Sequence, residues 1–135
     1  MKIVIDSDVL FALYVTSDGH HSEAGVILKK LYTEENEIIA SNLVLQETAT
    51  IISYRISQKQ AIDFLKDFER SGIKQFFMGE KLTTKSWKIF REQAKKGTSF
   101  IDCTNVVIYQ EVGAEMIMSF DKFYKRMGLK IAVCK

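Results

Sequence analysis

The sequence predicts an α/β protein: a three-layer α/β/α sandwich on a mainly parallel sheet of five strands, with residues 1–135 forming a single domain. Three observations carry that expectation. Residues 3–5 place three β-branched side chains in a row with no polar break, which suits a strand buried on both faces. Short apolar runs recur at 37–40, 73–78, 115–118 and 129–133, separated by longer stretches whose apolar residues fall three and four apart. The resulting order, β-α-α-β-α-α-β-α-α-β-α-β, is that of parallel strands joined by helical crossovers.

The composition limits the function classes. With 135 residues, 47% hydrophobic and 27% charged, the chain is long enough for a sizeable core. No apolar run approaches the roughly 20 residues of a membrane span, and the N-terminus has no extended apolar signal region, so a cytoplasmic protein without a membrane partner is expected. Cys103 and Cys134 form no C-x-x-C pair and read as buried free thiols. His20 and His21 are the only histidines and stand side by side, which argues against a histidine-rich zinc site. Any bound metal would be held mainly by oxygen, which points to magnesium or manganese. A net charge of +2 does not by itself demand a nucleic-acid partner.

In chain order, the first strand runs into Asp6, and Val9, Leu10, Phe11 and Leu13 begin a short helix over 9–15. After a turn at 16–19, a helix over 20–31 has Ala24, Ile27, Leu28 and Leu31 on its apolar face, with the two histidines as packing or capping groups at its start. The second strand ends at Ser41-Asn42. In the helix that follows, Glu47 lies between Val44 and Ile51 on the apolar side, a costly place for a carboxylate unless it is paired or bound to a cation. A helix over 57–70 is expected to turn Ala61, Ile62, Leu65 and Phe68 inward. The next spans 81–96 and carries Lys81, Lys85, Lys88 and Lys95 largely as one stripe, with Arg91 nearby. A solvated helix face explains such a stripe most simply; a phosphate-contacting surface is the rival. Ser99 and Asp102 fit a capping-box variant at the start of a helix ending near Gly113. The fourth strand leads into Ser119-Phe120-Asp121, and a helical turn at Phe123-Tyr124 precedes the fifth strand.

An Asp between a strand and a helix is usually an N-cap. Repetition is what makes Asp6 of interest. Asp6 follows strand one, Glu47 sits beyond strand two, Asp121 follows strand four, and Asp102 opens the helix leading into that strand. Right-handed crossovers bring strand-end acids to one edge of the sheet, where open parallel sheets bind ligands. Clustered carboxylates repel, and a divalent cation removes the conflict. One ion activates a water; two, about 3.5–4 Å apart, clamp a phosphodiester. No serine, cysteine or histidine triad is apparent, so metal-assisted hydrolysis fits best.

These residues resemble the PIN domain of VapC-type toxin ribonucleases, over nearly the whole chain. The likeness rests on Ile5-Asp6-Ser7-Asp8-Val9-Leu10, on Glu47, on Ser99-Phe100-Ile101-Asp102-Cys103 and on Ser119-Phe120-Asp121. It implies a magnesium- or manganese-dependent endoribonuclease acting on RNA, often a homodimer, held inactive by a cognate antitoxin. The family's acidic quartet would fall on Asp6, Glu47, Asp102 and Asp121. Asp6 and Asp102 would be the main metal ligands, Asp121 a second ligand, and Glu47 a ligand or water-orienting base. Ser7 and Ser119 would hydrogen-bond to the metal shell, and His20 would be structural. Asp8 departs from the Ser or Asn often found there and adds a ligand or caps the helix. Phe123 stands where many members carry a histidine. The helices over 20–31 and 57–70 offer apolar faces for a dimer.

Two other readings compete. Asp6-x-Asp8 at a strand end also resembles the haloacid dehalogenase phosphatase motif, although Leu10 departs from it and Glu47 is left unused. A non-catalytic RNA-binding module would keep the fold without turnover, but it gains nothing from acids that repel phosphate.

Overall fold

The first strand decides the layering. In the computed structural model, which describes residues 1–132, β1 (Lys2–Ile5) is fully buried over its last three residues. Ile3 and Ile5 enter one apolar cluster, and Val4 enters the other on the opposite face. This alternation is what a strand covered on both sides requires.

The chain continues through α1 (Ser7–Tyr14), α2 (His21–Thr33), β2 (Glu37–Ser41), α3 (Asn42–Arg55), α4 (Gln58–Arg70), β3 (Lys74–Phe76), α5 (Glu80–Arg91), α6 (Phe100–Val112), β4 (Met116–Met118) and α7 (Phe123–Arg126). The strands lie in the order β3-β2-β1-β4, all parallel, with Ile3 opposite Ile38 and Met116, and Val4 opposite Ile39 and Ile117. Helices α1 to α4 pack their buried residues, among them Leu10, Ile27, Val44 and Phe64, on the face of Ile3 and Ile5. Helices α6 and α7 cover the Val4 face with Cys103, Val106, Phe123 and Tyr124. The three-layer sandwich expected from the sequence is therefore formed. No helix among the described residues is long and apolar enough to cross a membrane.

The order of strands also locates a crevice. From β1 the chain moves outward to β2 and β3 over one face, then returns over the other to place β4 on the far side of β1. Successive crossovers thus diverge at the β1–β4 boundary. In open parallel sheets such a switch point opens a crevice at the carboxyl ends of the strands.

Four expectations need correction. Among the described residues the sheet has four strands, where five were expected. Leu129 N–H is spent on the Tyr124 carbonyl, so only Lys130 to Ala132 reach β4, through a single parallel bridge between Ile131 and Ile117; residue 133 and Cys134 lie outside the described residues. Helix α5 stops at Arg91 because its last turn tightens: Glu92 and Gln93 N–H groups bond back only three residues, to Ile89 and Phe90. Lys95 is thereby detached from the stripe on α5. In α4 the buried residues are Ala61, Phe64 and Phe68, whereas Ile62 and Leu65 are exposed. Finally, Ser99 caps α6 through Ile101 N–H at 3.1 Å, but Asp102 makes no return bond to Ser99 and faces elsewhere. Gly113, at φ 68°, ends that helix in the left-handed conformation glycine favours.

Candidate active site

Asp6 closes β1 and caps α1, accepting from Ser7 N–H at 2.7 Å. The capping role is real, and it is only one of four. The same Oδ1 accepts from Asn105 Nδ2 at 3.0 Å, while Oδ2 accepts from Tyr124 Oη at 2.8 Å and meets Ser119 Oγ at 3.2 Å. Only 3% of Asp6 is exposed. Burial pushes its carboxyl well above the usual carboxylate range, and the charges of Asp8 and Asp102 push the same way.

The other carboxylates gather around it. Tyr124 Oη also lies 3.1 Å from Asp102 Oδ1, and Asp102 is driven up to about 7 by burial first and then by Asp121 and Glu47. Asp8 Oδ2 accepts from Phe120 N–H at 2.8 Å and shares Ser119 Oγ with Asp6. Asp8 therefore staples α1 to the segment after β4. Ser7 Oγ donates a short hydrogen bond to Glu47 Oε1. Asp121, exposed at the rim, accepts from Phe123 N–H and holds the turn into α7. Together Asp6, Asp8, Glu47, Asp102 and Asp121 line one open cleft of about 500 Å3 at the switch point, joined by Asp18, His20 and Phe120. All four acids of the expected quartet are brought to one place. So are Ser7 and Asp8 in the lining, with Ser119 in the network beneath.

The cleft is short of positive charge. Arg55 enters its lining but sits over the Phe11 ring, 5.7 Å from the centroid, and makes no ion pair among the described residues. It is also short of protons. Tyr124 and Ser119 each bridge two carboxylates, yet a hydroxyl has one hydrogen to donate, so the two hydroxyls cannot satisfy both of their neighbours at once. Asp8 Oδ1 is buried with no partner at all.

Sequence reasoning did not find Asn105 and Tyr124, which hold the cluster together. Asn105 is fully buried and also donates to Tyr124 Oη at 3.0 Å. Its signal was present: it lies one helical turn after Asp102, a polar residue within an apolar run. Tyr124 carried no comparable sign, because a tyrosine in a short turn reads as packing. His21 Nδ1 meets the Ala12 carbonyl at 2.7 Å and is structural as expected. His20, also expected to pack, does so against Phe120 (centroids 4.1 Å apart), but at the mouth of the cleft. Cys103 is buried, and burial raises its thiol to about 11.

The family model of the PIN domain matches residues 3–130. The chain belongs to the PIN domain family. A VapC ribonuclease of Archaeoglobus fulgidus is 24% identical to this PIN chain over 126 residues, covering 91% of it and 80% of the relative. The fold matches the crystal structure of the Mycobacterium tuberculosis VapC20 toxin, described as cleaving the sarcin-ricin loop, with a TM-score of 0.82 at 21% identity, over 94% of this chain and 95% of that one. It also matches VapBC2 of Rickettsia felis, solved with a promoter DNA fragment, with a TM-score of 0.75 at 18% identity over 97% of both chains.

PIN folds of this type imply a divalent cation, and the donor set fits one in kind. The clustered carboxylates are oxygen acceptors, two buried oxygens, Asp8 Oδ1 and Asn105 Oδ1, lack any donor, and none of the carboxylates makes an ion pair among the described residues. The side chains are nonetheless engaged with one another. Among the described residues no three His, Cys, Asp or Glu side chains converge as a ready-made ligand set.

Proposed function

We propose that this chain is a magnesium- or manganese-dependent endoribonuclease of the VapC type, the toxin half of a toxin–antitoxin pair. One observation carries the reading: Asp6, Glu47, Asp102 and Asp121, with Asp8 and Asp18, line a single cleft at the sheet's switch point, and none of these carboxylates makes an ion pair among the described residues. The likeness to VapC proteins supplies the substrate class and the antitoxin partner. An RNA substrate would place the protein in the cytoplasm. Exposed Ile56, Ile62 and Leu65 offer apolar surface for a second copy in a homodimer.

Asp6 and Asp102 would hold the cation, with Asp121 and Glu47 completing its surroundings. When bound, the ion supplies charge neutralisation at the phosphodiester and a water of lowered pKa. The chain's own residues do the rest. Asn105, Tyr124 and Ser7 N–H fix Asp6 at the floor of the cleft. Ser7 holds Glu47 by Oε1, which leaves Oε2 to accept a proton from an attacking water. Asp8, clamped by Phe120 N–H, fixes the segment that carries Asp121.

The phosphatase reading asks Asp6 to attack phosphorus. Both of its oxygens are buried under hydrogen-bond donors, which blunts a nucleophile. The decisive experiment is cleavage of a labelled structured RNA pool with magnesium or manganese, with chelator, and by Asp6→Asn prepared identically. Metal-dependent cleavage by the wild type alone is expected. Equal cleavage by Asp6→Asn, or cleavage in chelator, overturns the assignment.

A further inference from the structure

Beside the acidic cleft lies a second one of about 360 Å3 with the opposite character. It shares Asp102, Phe120 and Asp121 with the first and is otherwise lined by Lys95, Lys96, Lys122 and Arg126. All four cations are exposed, and none makes an ion pair among the described residues. They come from two segments held against each other. Gln93 Nε2 bonds to the Ile89 carbonyl and lies 3.7 Å from Met127 Sδ, fixing the end of α5 onto the end of α7. Thr98 Oγ1 bonds back to the Lys95 carbonyl, and Gly97, at φ 90°, makes the turn between them.

Resting on the ribonuclease reading above, we infer that this basic cleft seats the RNA backbone on one side of the scissile bond, so that the strand leaves the acidic cleft over α7. A phosphodiester chain carries a negative charge at every link, and carboxylates repel each link that is not neutralised. Beyond the scissile group the strand needs cations within a Debye length, about 8 Å at physiological salt. Among the described residues, the cleft that adjoins the acidic one beside α7 is lined by three lysines and an arginine, whereas Arg55, already placed over Phe11, is the one lysine or arginine that lines the acidic cleft itself. Asp6 lies at the floor of a recess, 3% exposed, so the bound RNA is an unpaired or looped stretch that bends inward. Lys81, Lys85 and Lys88 are exposed on α5 and line neither cleft.

The test measures binding of a short fluorescein-labelled single-stranded RNA by anisotropy, with every variant in an Asp6→Asn background. Lys96→Ala with Arg126→Ala is expected to weaken binding roughly tenfold and to flatten the slope of log affinity against log salt by about 1.4, or about 0.7 for each phosphate no longer neutralised. Lys81→Ala with Lys85→Ala should change affinity less than about twofold, its charges lying away from the strand. Melting curves check that all variants fold. Unchanged affinity and slope in the cleft variant, or an equal loss in the α5 variant, overturns the inference even if the wild type cleaves RNA. A wild type that neither binds nor cleaves RNA would remove the ribonuclease reading and this inference with it.

Discussion

Asp6 and Ser41 occupy the same local position: each ends a parallel strand and caps the helix that follows. Ser41 accepts one hydrogen bond, from Val44 N–H at 3.0 Å, and is then finished. Asp6 accepts from the N–H of the next residue, Ser7, and is reached by three further side chains from α6, the segment after β4, and α7. The difference lies in the neighbours. β2 stands between β1 and β3, with its crossovers on one face, so no crevice opens at its end. β1 stands between crossovers on opposite faces. A cap becomes a site when the sheet's topology leaves room beside it.

The largest expected effect separates the two caps by activity. Asp6→Asn should lower cleavage by a factor on the order of 1,000 and erase stabilisation by magnesium, without lowering the melting temperature in chelator, because it removes a buried charge. Retained metal stabilisation would place the ion elsewhere. Tyr124→Phe comes next. Losing the hydroxyl that joins Asp6 to Asp102 should reduce cleavage and metal affinity about 10- to 100-fold while the ring keeps its packing. A rate unchanged in a metal titration would make Tyr124 a packing residue only.

A third effect is seen in chelator without any substitution. The carboxyls of Asp6, Asp8 and Asp102 are all raised on folding, so the folded protein keeps protons that the unfolded chain releases from about pH 4 upward. Stability should therefore fall as pH rises from about 4 towards 7, with a saturating divalent cation flattening the trend. A melting temperature that climbs over that range in chelator would mean the acids are charge-balanced by some other group. Smallest of all, Ser41→Ala should cost about 1 kcal/mol in denaturant unfolding and leave cleavage unchanged.

The same contrast explains what the sequence revealed. Features that follow from local chemistry were legible: the two-sided burial of β1, the cap at Ser99, and the apolar face of α2. The four acids were legible because right-handed crossovers convert positions in sequence into a shared edge. Features that depend on distant partners were not. Asn105 sits 99 residues from Asp6 in sequence, and no local pattern announces that bond. In α4 both candidate apolar faces contain good core residues; the fold chose Phe64 over Ile62 and Leu65, and Phe64 meets Tyr14 of α1 edge-on. Residues 129–133 have the composition of a strand, but the turn after α7 consumes Leu129 before pairing begins.

The short outer strands have a consequence for behaviour in a crowded solution. Both strands at the margins of the sheet, β3 and β4, are three residues long. On β3, Lys74 holds its charge at the margin through a 3.0 Å ion pair with Glu37, and on β4 the backbone of Ile117 is already taken by Lys130 and Ala132. A stray chain finds no long row of free N–H and C=O groups on which to template itself. The sheet is thereby shielded against edge-to-edge aggregation, and self-association is left to side-chain surfaces.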